Sequence, residues 1–170
     1  GIAATPVYTR SPSVFAATAH VLSQVLPGRF VIGLGSSSQT MMGQWNGIPL
    51  EMPLTRVTET AELVRIMLSG EKTKFNGKTL TSSGYRQPKL ETPPPIYIAA
   101  LRSKMIEAAA SNTFIISSDC PTGPKEILNY GKGGTLFKAG DSDDLFKKIK
   151  KINFNKKNIL NKIKYSSKHL

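Results

Sequence analysis

Few residues in this chain are of a type and spacing that could do chemistry. Gly33 and Gly35 form a Gly-x-Gly at the end of an apolar run and lead into Ser36, Ser37 and Ser38. No third glycine follows where a dinucleotide fingerprint would open a helix, so close backbone packing is the better reading of the pair. Glu107 and Glu126 stand near the starts of short helical stretches, where the helix dipole stabilises a carboxylate with or without a ligand. His20 falls mid-helix with no partner motif. Cys120 is the single cysteine, which excludes an internal disulfide and a cysteine metal cluster. With no basic residue close in sequence it reads as an inert thiol. Trp45 and the pair Met41–Met42 could line a ligand pocket. The sequence shows no Ser/His/Asp set and no metal-ligand spacing.

Composition narrows the class. A chain of 170 residues can bury one real core, and 39% hydrophobic with 20% charged residues fits a globular α/β protein. No apolar run approaches the roughly 20 residues that span a bilayer. No secretory signal is visible, so the expected location is cytoplasmic, with no membrane partner. The net charge of +12 invites a nucleic-acid reading. Its distribution argues against one: residues 107–170 hold twelve lysines and no arginine, whereas residues 1–106 hold six arginines and five lysines. Phosphate and base recognition favour the arginine fork, so a solvated lysine face is the better reading. Proline shifts as well, with nine before residue 107 and two after.

The elements that must position these residues follow from periodicity. Ile2–Val7 reads as a buried strand. Ser11 and Pro12 start a helix, as a capping hydroxyl followed by a first-turn proline. Val14, Phe15, Thr18, Val21, Leu22, Val25 and Leu26 recur at helical spacing as its apolar face. Pro27-Gly28 stops it, and Arg29–Gly35 is a second strand. Ser36–Pro53 is a long loop, a feature that in compact α/β domains is usually functional or mobile. Thr55–Ser69 is a helix with Val57, Ala61, Val64 and Leu68 on one face. Gly70–Pro95 is irregular, with a small hairpin at Asn76-Gly77. Ile96–Leu101 and Thr113–Ser117 are further buried strands around a short helix at Ser103–Ser111. Gly123–Tyr130 is a short helix, Gly134–Lys138 the last strand, and Asp141–Ile152 a helix with acidic residues first and lysines last. Asn153–Leu170 reads as more helix.

Residues 1–106 resemble the luciferase-like monooxygenase family, whose members use a flavin or a deazaflavin. The resemblance rests on Gly1-Ile2-Ala3-Ala4-Thr5-Pro6, Tyr8-Thr9-Arg10-Ser11-Pro12 and Pro27 through Ser36. It continues in Gln44-Trp45-Asn46-Gly47, Arg56, Glu59 and Pro95 through Arg102. It implies a (β/α)8 barrel, of which these pieces would be the third to fifth strands. It implies that Gly1 and Ile2 lie behind the coenzyme ring. It places Ser36, Ser37 and Ser38, with the backbone at Leu101 and Arg102, near the coenzyme phosphate. Strand C-termini and helix N-termini suit such a role because they present free N–H groups to anions.

Residues 107–170 resemble the C-terminal domain of family 4 glycosyltransferases, through Ile106-Glu107-Ala108-Ala109, Thr113 to Leu128, Gly133 to Phe137 and Gly140-Asp141. That resemblance implies a nucleotide-sugar site centred on Glu107 and Glu126, with Glu107 matching the glutamate that holds the ribose. The partner glutamate that such enzymes carry eight positions earlier is replaced by Ala99.

The expectation drawn from both is a recombined or artificial chimera of two fragments, without autonomous catalysis and with no cofactor bound. The alternatives are a luciferase-like oxidoreductase using a deazaflavin or FMN, and a nucleotide-sugar-dependent transferase module. The expected fold is α/β: one parallel five-stranded sheet in the order 1-2-3-4-5, an open partial (β/α) barrel or Rossmann-like hybrid. All helices would lie on one face. The other face would need cover, with self-association the expected means.

Overall fold

The computed structural model describes residues 2–99, 115–119, 124–151, 161, 162 and 165. The chain divides into two compact units, Gly1–Ala99 and Ala100–Leu170.

The first unit is a parallel sheet backed by two helices. Strand β1 (Ile2–Pro6) leads to helix α1 (Pro12–Val25), strand β2 (Ile32–Gly35) and helix α2 (Pro53–Leu68). A hairpin of β3 (Lys74–Asn76) and β4 (Thr81–Ser83) follows, then β5 (Ile96–Ile98). The strand order is β1-β2-β5, all parallel. The first crossover places β2 beside β1, and the second places β5 on the free edge of β2. β1 carries one extra residue opposite β2 between Ile2 and Thr5, and Ala4 there takes a left-handed φ of 43°.

The Ser11 hydroxyl accepts the Val14 amide at 3.4 Å and Pro12 opens α1, as the sequence predicts. The buried face of α1 differs from the predicted one. Of that face Phe15 is buried and Leu22 packs against the core, but Val14, Val21 and Val25 are exposed, and Ala16 and Ala19 are buried in their place. Alanines let a helix approach its neighbour closely, and periodicity alone cannot tell an alanine stripe from a valine stripe a third of a turn away. For α2 the predicted face holds: Val57, Ala61, Val64 and Leu68 are all buried. Together with Ile32, Leu34 and Ile96 these residues form one continuous core.

In the second unit, β6 (Ile115–Asp119) pairs in parallel with β7 (Gly134–Lys138) through the short helix α3 (Pro124–Ile127). Helix α4 (Ser142–Lys151) follows, with the Asp141 carboxylate accepting the Asp144 amide at 2.9 Å.

A single five-stranded sheet is not what forms. The described strands make a parallel sheet of three, a hairpin of two and a separate parallel pair. β6 finds its partner in β7, and its second half is Ser117-Ser118-Asp119 rather than an apolar run. Leu136 and Phe137 of β7 are half-buried. Apolar content marks a strand but not the edge it joins. The helix expected at Ser103–Ser111 lies outside the described residues.

Candidate functional site

The three parallel strands of the first unit end on one edge, at Pro6, Gly35 and Ile98. In parallel α/β architectures this carboxyl edge gathers binding residues, because loops diverge there and helix N-termini face it. Register assigns the side chains to faces. Ile32, Leu34 and Ile96 enter the helix-backed core. Gly33 pairs with Tyr97 on the opposite face. A Cβ placed on Gly35 would lie 3.5 Å from the Ala99 Cβ and 4.0 Å from the Ala4 Cβ. Near the carboxyl edge, the face away from the helices is therefore a floor of small residues: Ala4, Gly35 and Ala99. Burial raises the Tyr97 phenol above its ordinary pKa, so it stays protonated at neutral pH.

The turn after β2 carries the three serines. Ser36 and Ser37 are half-buried and Ser38 is exposed. Ser37 takes a left-handed φ of 66°. Its hydroxyl donates to the Met41 sulfur at 3.4 Å, and the Ser38 hydroxyl accepts the Met41 amide at 3.2 Å. Ser38 thereby ties down the amide of the second residue of the helical turn Thr40–Gln44, which is wound one residue per turn wider than an α-helix. Within the long loop Met42 is buried, whereas Met41 and Trp45 are exposed, so they do not together line an enclosed pocket.

Two further groups organise this edge. The Tyr8 hydroxyl donates to the Glu51 carbonyl at 2.5 Å, and the Arg56 guanidinium lies 5.7 Å from the centre of the Tyr8 ring. Arg56 donates to the Thr79 carbonyl at 2.5 Å. The nearly buried Glu59 carboxylate accepts the amides of Lys78, Thr79 and Leu80 at 2.6, 2.9 and 3.0 Å, and the Thr79 hydroxyl at 2.6 Å. Burial pushes its pKa up, but these four donors outweigh burial and hold it below the ordinary value of 4.5. Gly77 sits so close that a Cβ would fall 2.5 Å from this carboxylate. Glu59 thus pins the hairpin to α2. No spacing in the sequence links it to a turn twenty residues on. The signals that could have found it are a carboxylate within the apolar half of a helix and an Asn-Gly turn lacking its own cap.

Of the residues expected to act, Ser36, Ser37 and Ser38 come together at the carboxyl edge. Ile2 begins β1 opposite Ile32. Gly1, Leu101, Arg102, Glu107 and Cys120 lie outside the described residues. Glu126 is an exposed residue of the four-residue helix α3. The His20 Nε2 meets the Gln24 amide nitrogen at 3.1 Å, an intrahelical contact. Among the described residues no group of three His, Cys, Asp or Glu could hold a metal, and no described helix is long and apolar enough to cross a membrane.

Comparison with known proteins places this edge in context. The family model for luciferase-like monooxygenases matches residues 1–118. The model for group 1 glycosyl transferases matches residues 93–153. The chain is 29% identical to a 5,10-methylenetetrahydromethanopterin reductase of Archaeoglobus fulgidus over 148 residues, 86% of this chain and 44% of that protein. It is 31% identical to the reductase of that name from Methanolobus tindarius over 123 residues, 71% of this chain and 37% of that protein. An F420-dependent glucose-6-phosphate dehydrogenase 2 of Rhodococcus jostii is 30% identical over 105 residues, 56% of this chain and 30% of that protein. Among solved structures, a monooxygenase from Streptomyces bottropensis shares the fold, with a TM-score of 0.60 over 75% of this chain and 40% of that chain at 20% identity. The chain spans less than half the length of the curated relatives it matches.

These matches do not support the chimera expectation. The luciferase-like match runs past Glu107, and the transferase match begins before it. An alignment covering 86% of this chain crosses Glu107 wherever it begins. With its family model matched over residues 1–118, the chain belongs to the luciferase-like monooxygenase family.

Proposed function

We propose that this chain carries the coenzyme edge of a deazaflavin-dependent oxidoreductase. The observation that carries the reading is the small-residue floor of Ala4, Gly35 and Ala99 beside the Ser36–Ser38 turn, at the carboxyl edge of parallel strands. A planar ring system needs a surface without bulky side chains, and Ala4, Gly35 and Ala99 offer one at the carboxyl edge, with Tyr97 two residues back along β5 on the same face. The similarity to reductases and to an F420-dependent dehydrogenase favours a deazaflavin, with FMN as the alternative.

In this reading Ser36, Ser37 and Ser38 hold the coenzyme phosphate with hydroxyls and turn amides. A left-handed residue such as Ser37 is one half of the backbone pattern from which anion-binding nests are made. By resemblance alone Leu101 and Arg102 would join the phosphate site and Gly1 and Ile2 would stand behind the ring; Gly1, Leu101 and Arg102 lie outside the described residues. The coenzyme, when bound, supplies hydride chemistry. The chain's own residues bind and orient it and keep water from one ring face. Glu107 and Glu126 have no part in this reading, and no contact of Glu126 favours a nucleotide-sugar. Self-association, which would cover an open sheet face, is tested by sedimentation at micromolar concentration.

Titration with oxidised deazaflavin, followed by its fluorescence, tests the reading. A saturable change is expected, and a flat response up to about 1 mM, the affinity of a few weak contacts, overturns it. Gly35→Ala should bind as the parent does, since its Cβ meets Ala99 at an ordinary 3.5 Å. Gly35→Leu fills the floor and should abolish binding.

A further inference from the structure

The loop between β2 and α2 is a single internally bonded piece. The Met42 amide donates to the Ser38 carbonyl at 2.9 Å, and the Ile48 amide returns to the Met42 carbonyl at 2.9 Å. The Asn46 side chain donates to the Met41 carbonyl at 2.5 Å. Only Met42 is fully buried, so one side chain anchors the piece from within. Its two ends are alike in an uncommon way. Ser37 at one end and Met52 at the other are non-glycine residues with left-handed φ, of 66° and 45°. Met52 also precedes Pro53, and proline disfavours helical backbone in the residue before it. Strain of this kind persists only where the surroundings enforce it.

What enforces it at the far end is Tyr8. Its hydroxyl holds the Glu51 carbonyl, one residue before Met52. Its ring carries the Arg56 guanidinium, whose other tie is the Thr79 carbonyl, and the Arg56 Nε is buried without a hydrogen-bond partner. Arg56 is thus held by one hydrogen bond and one ring face, and Tyr8 connects the turn after β1, the loop and α2. We propose that Tyr8, seated on Arg56, is a positioning residue that straps residues 38–51 down as a hinged flap. Ser37 and Met52 are its hinges, and the strap sets the geometry of the Ser36–Ser38 turn. The coenzyme consequence rests on the function proposed above; the strap itself does not.

Trp45, the single tryptophan, sits within this segment and is 71% exposed, so its fluorescence reports the flap with or without coenzyme. The experiment compares the full chain with Tyr8→Phe, which keeps the ring and removes the hydroxyl. Arg56→Lys serves as a second variant, and Tyr85→Phe, which loses a hydroxyl bonded to Gln87 at 2.8 Å, as the control. Time-resolved anisotropy of Trp45 should show a larger fast component in Tyr8→Phe, with an unchanged circular-dichroism spectrum, and no change in the control. The deazaflavin dissociation constant should rise about two- to tenfold, the equilibrium equivalent of one hydrogen bond. Unchanged Trp45 anisotropy in both Tyr8→Phe and Arg56→Lys overturns the strap. A freer Trp45 with unchanged coenzyme affinity supports the strap and overturns its hold on the serine turn. If the parent chain binds no coenzyme while Tyr8→Phe still frees Trp45, the strap stands and the coenzyme reading falls.

Discussion

Between Gly1 and Ala99 the chain buries side chains; in the described part of the second unit it chiefly pairs backbone. The first unit presses two helices onto a three-stranded sheet, and Leu34, Val57 and Val64 are completely buried. The second unit holds together along the five register pairs of β6 and β7. Ile115, Pro124 and Leu128 are its buried apolar side chains among those described, and α4 buries none while exposing Phe146 and Ile149. Close backbone approach substitutes for side-chain bulk there: a Cβ on Gly134 would lie 2.9 Å from the Ile115 carbonyl oxygen. Polar ties add to it. The Lys162 ammonium donates to the carbonyls of Gly131 and Gly134 at 3.1 and 2.7 Å, and Asn129 donates to the Tyr165 hydroxyl. A unit rich in buried apolar contacts opens cooperatively, whereas one resting on exposed hydrogen bonds opens locally and at lower cost.

Substitutions can break or sharpen this contrast. The largest effect is expected for Leu34→Ala, which removes a completely buried side chain and should cost about 3 to 4 kcal/mol in a urea titration followed by circular dichroism. A loss under about 1 kcal/mol would mean that the first unit is not core-built.

Glu59→Gln comes next. It exchanges a charged acceptor of four donors for a neutral one and should cost about 2 kcal/mol. This contribution depends on pH. The folded-state pKa of Glu59 lies below 4.5, so its stabilisation is fully present above pH 4.5 and is lost as pH falls through the lowered folded value. Glu59→Gln should remove that part of the acid transition. An acid limb unchanged in the variant would assign it to other carboxylates.

Lys162→Met tests the second unit's polar ties, with a loss of about 1 kcal/mol expected on hydrogen exchange of the β6–β7 amides. Exchange unchanged from the parent would shift the weight to the strand ladder alone.

At high pH Tyr8 contributes a smaller effect. Burial raises its pKa above 10.0, with the Arg56 charge opposing and Glu51 adding to the rise. The unfolded chain therefore ionises first: stability is whole below pH 10.0 and declines as pH rises beyond it. Tyr8→Phe should flatten that decline. The smallest effect belongs to Phe146→Ala on exposed α4, within about 0.5 kcal/mol of the parent.

Much of the first unit was legible from the chain alone. Ser11-Pro12 and Pro27-Gly28 act through local dihedral preference and short-range capping, so their effects do not wait on the rest of the fold. The face of α2 was legible because valine and leucine alternate with charge at helical spacing. The face of α1 was not, because apolar residues lie on both sides and only contact with α2 and the sheet selects Ala16 and Ala19. At the candidate site, the serine turn could be named in advance by resemblance, but its hydrogen bonds to Met41 and its left-handed Ser37 could not.

The sequence by itself determined β1, α1, β2, α2 and β5, the parallel adjacency of those three strands, and the family. Local propensity and short crossovers act within tens of residues, and family motifs are contiguous stretches. Tertiary structure alone decided that β6 pairs with β7 rather than extending one five-stranded sheet. It alone brought Glu59 into the Lys78–Leu80 turn and set Tyr8 between Glu51 and Arg56. Each of those choices joins groups distant in the chain, and nothing in the periodicity of either partner encodes the meeting; the free energy of the contact exists only once both surfaces have formed.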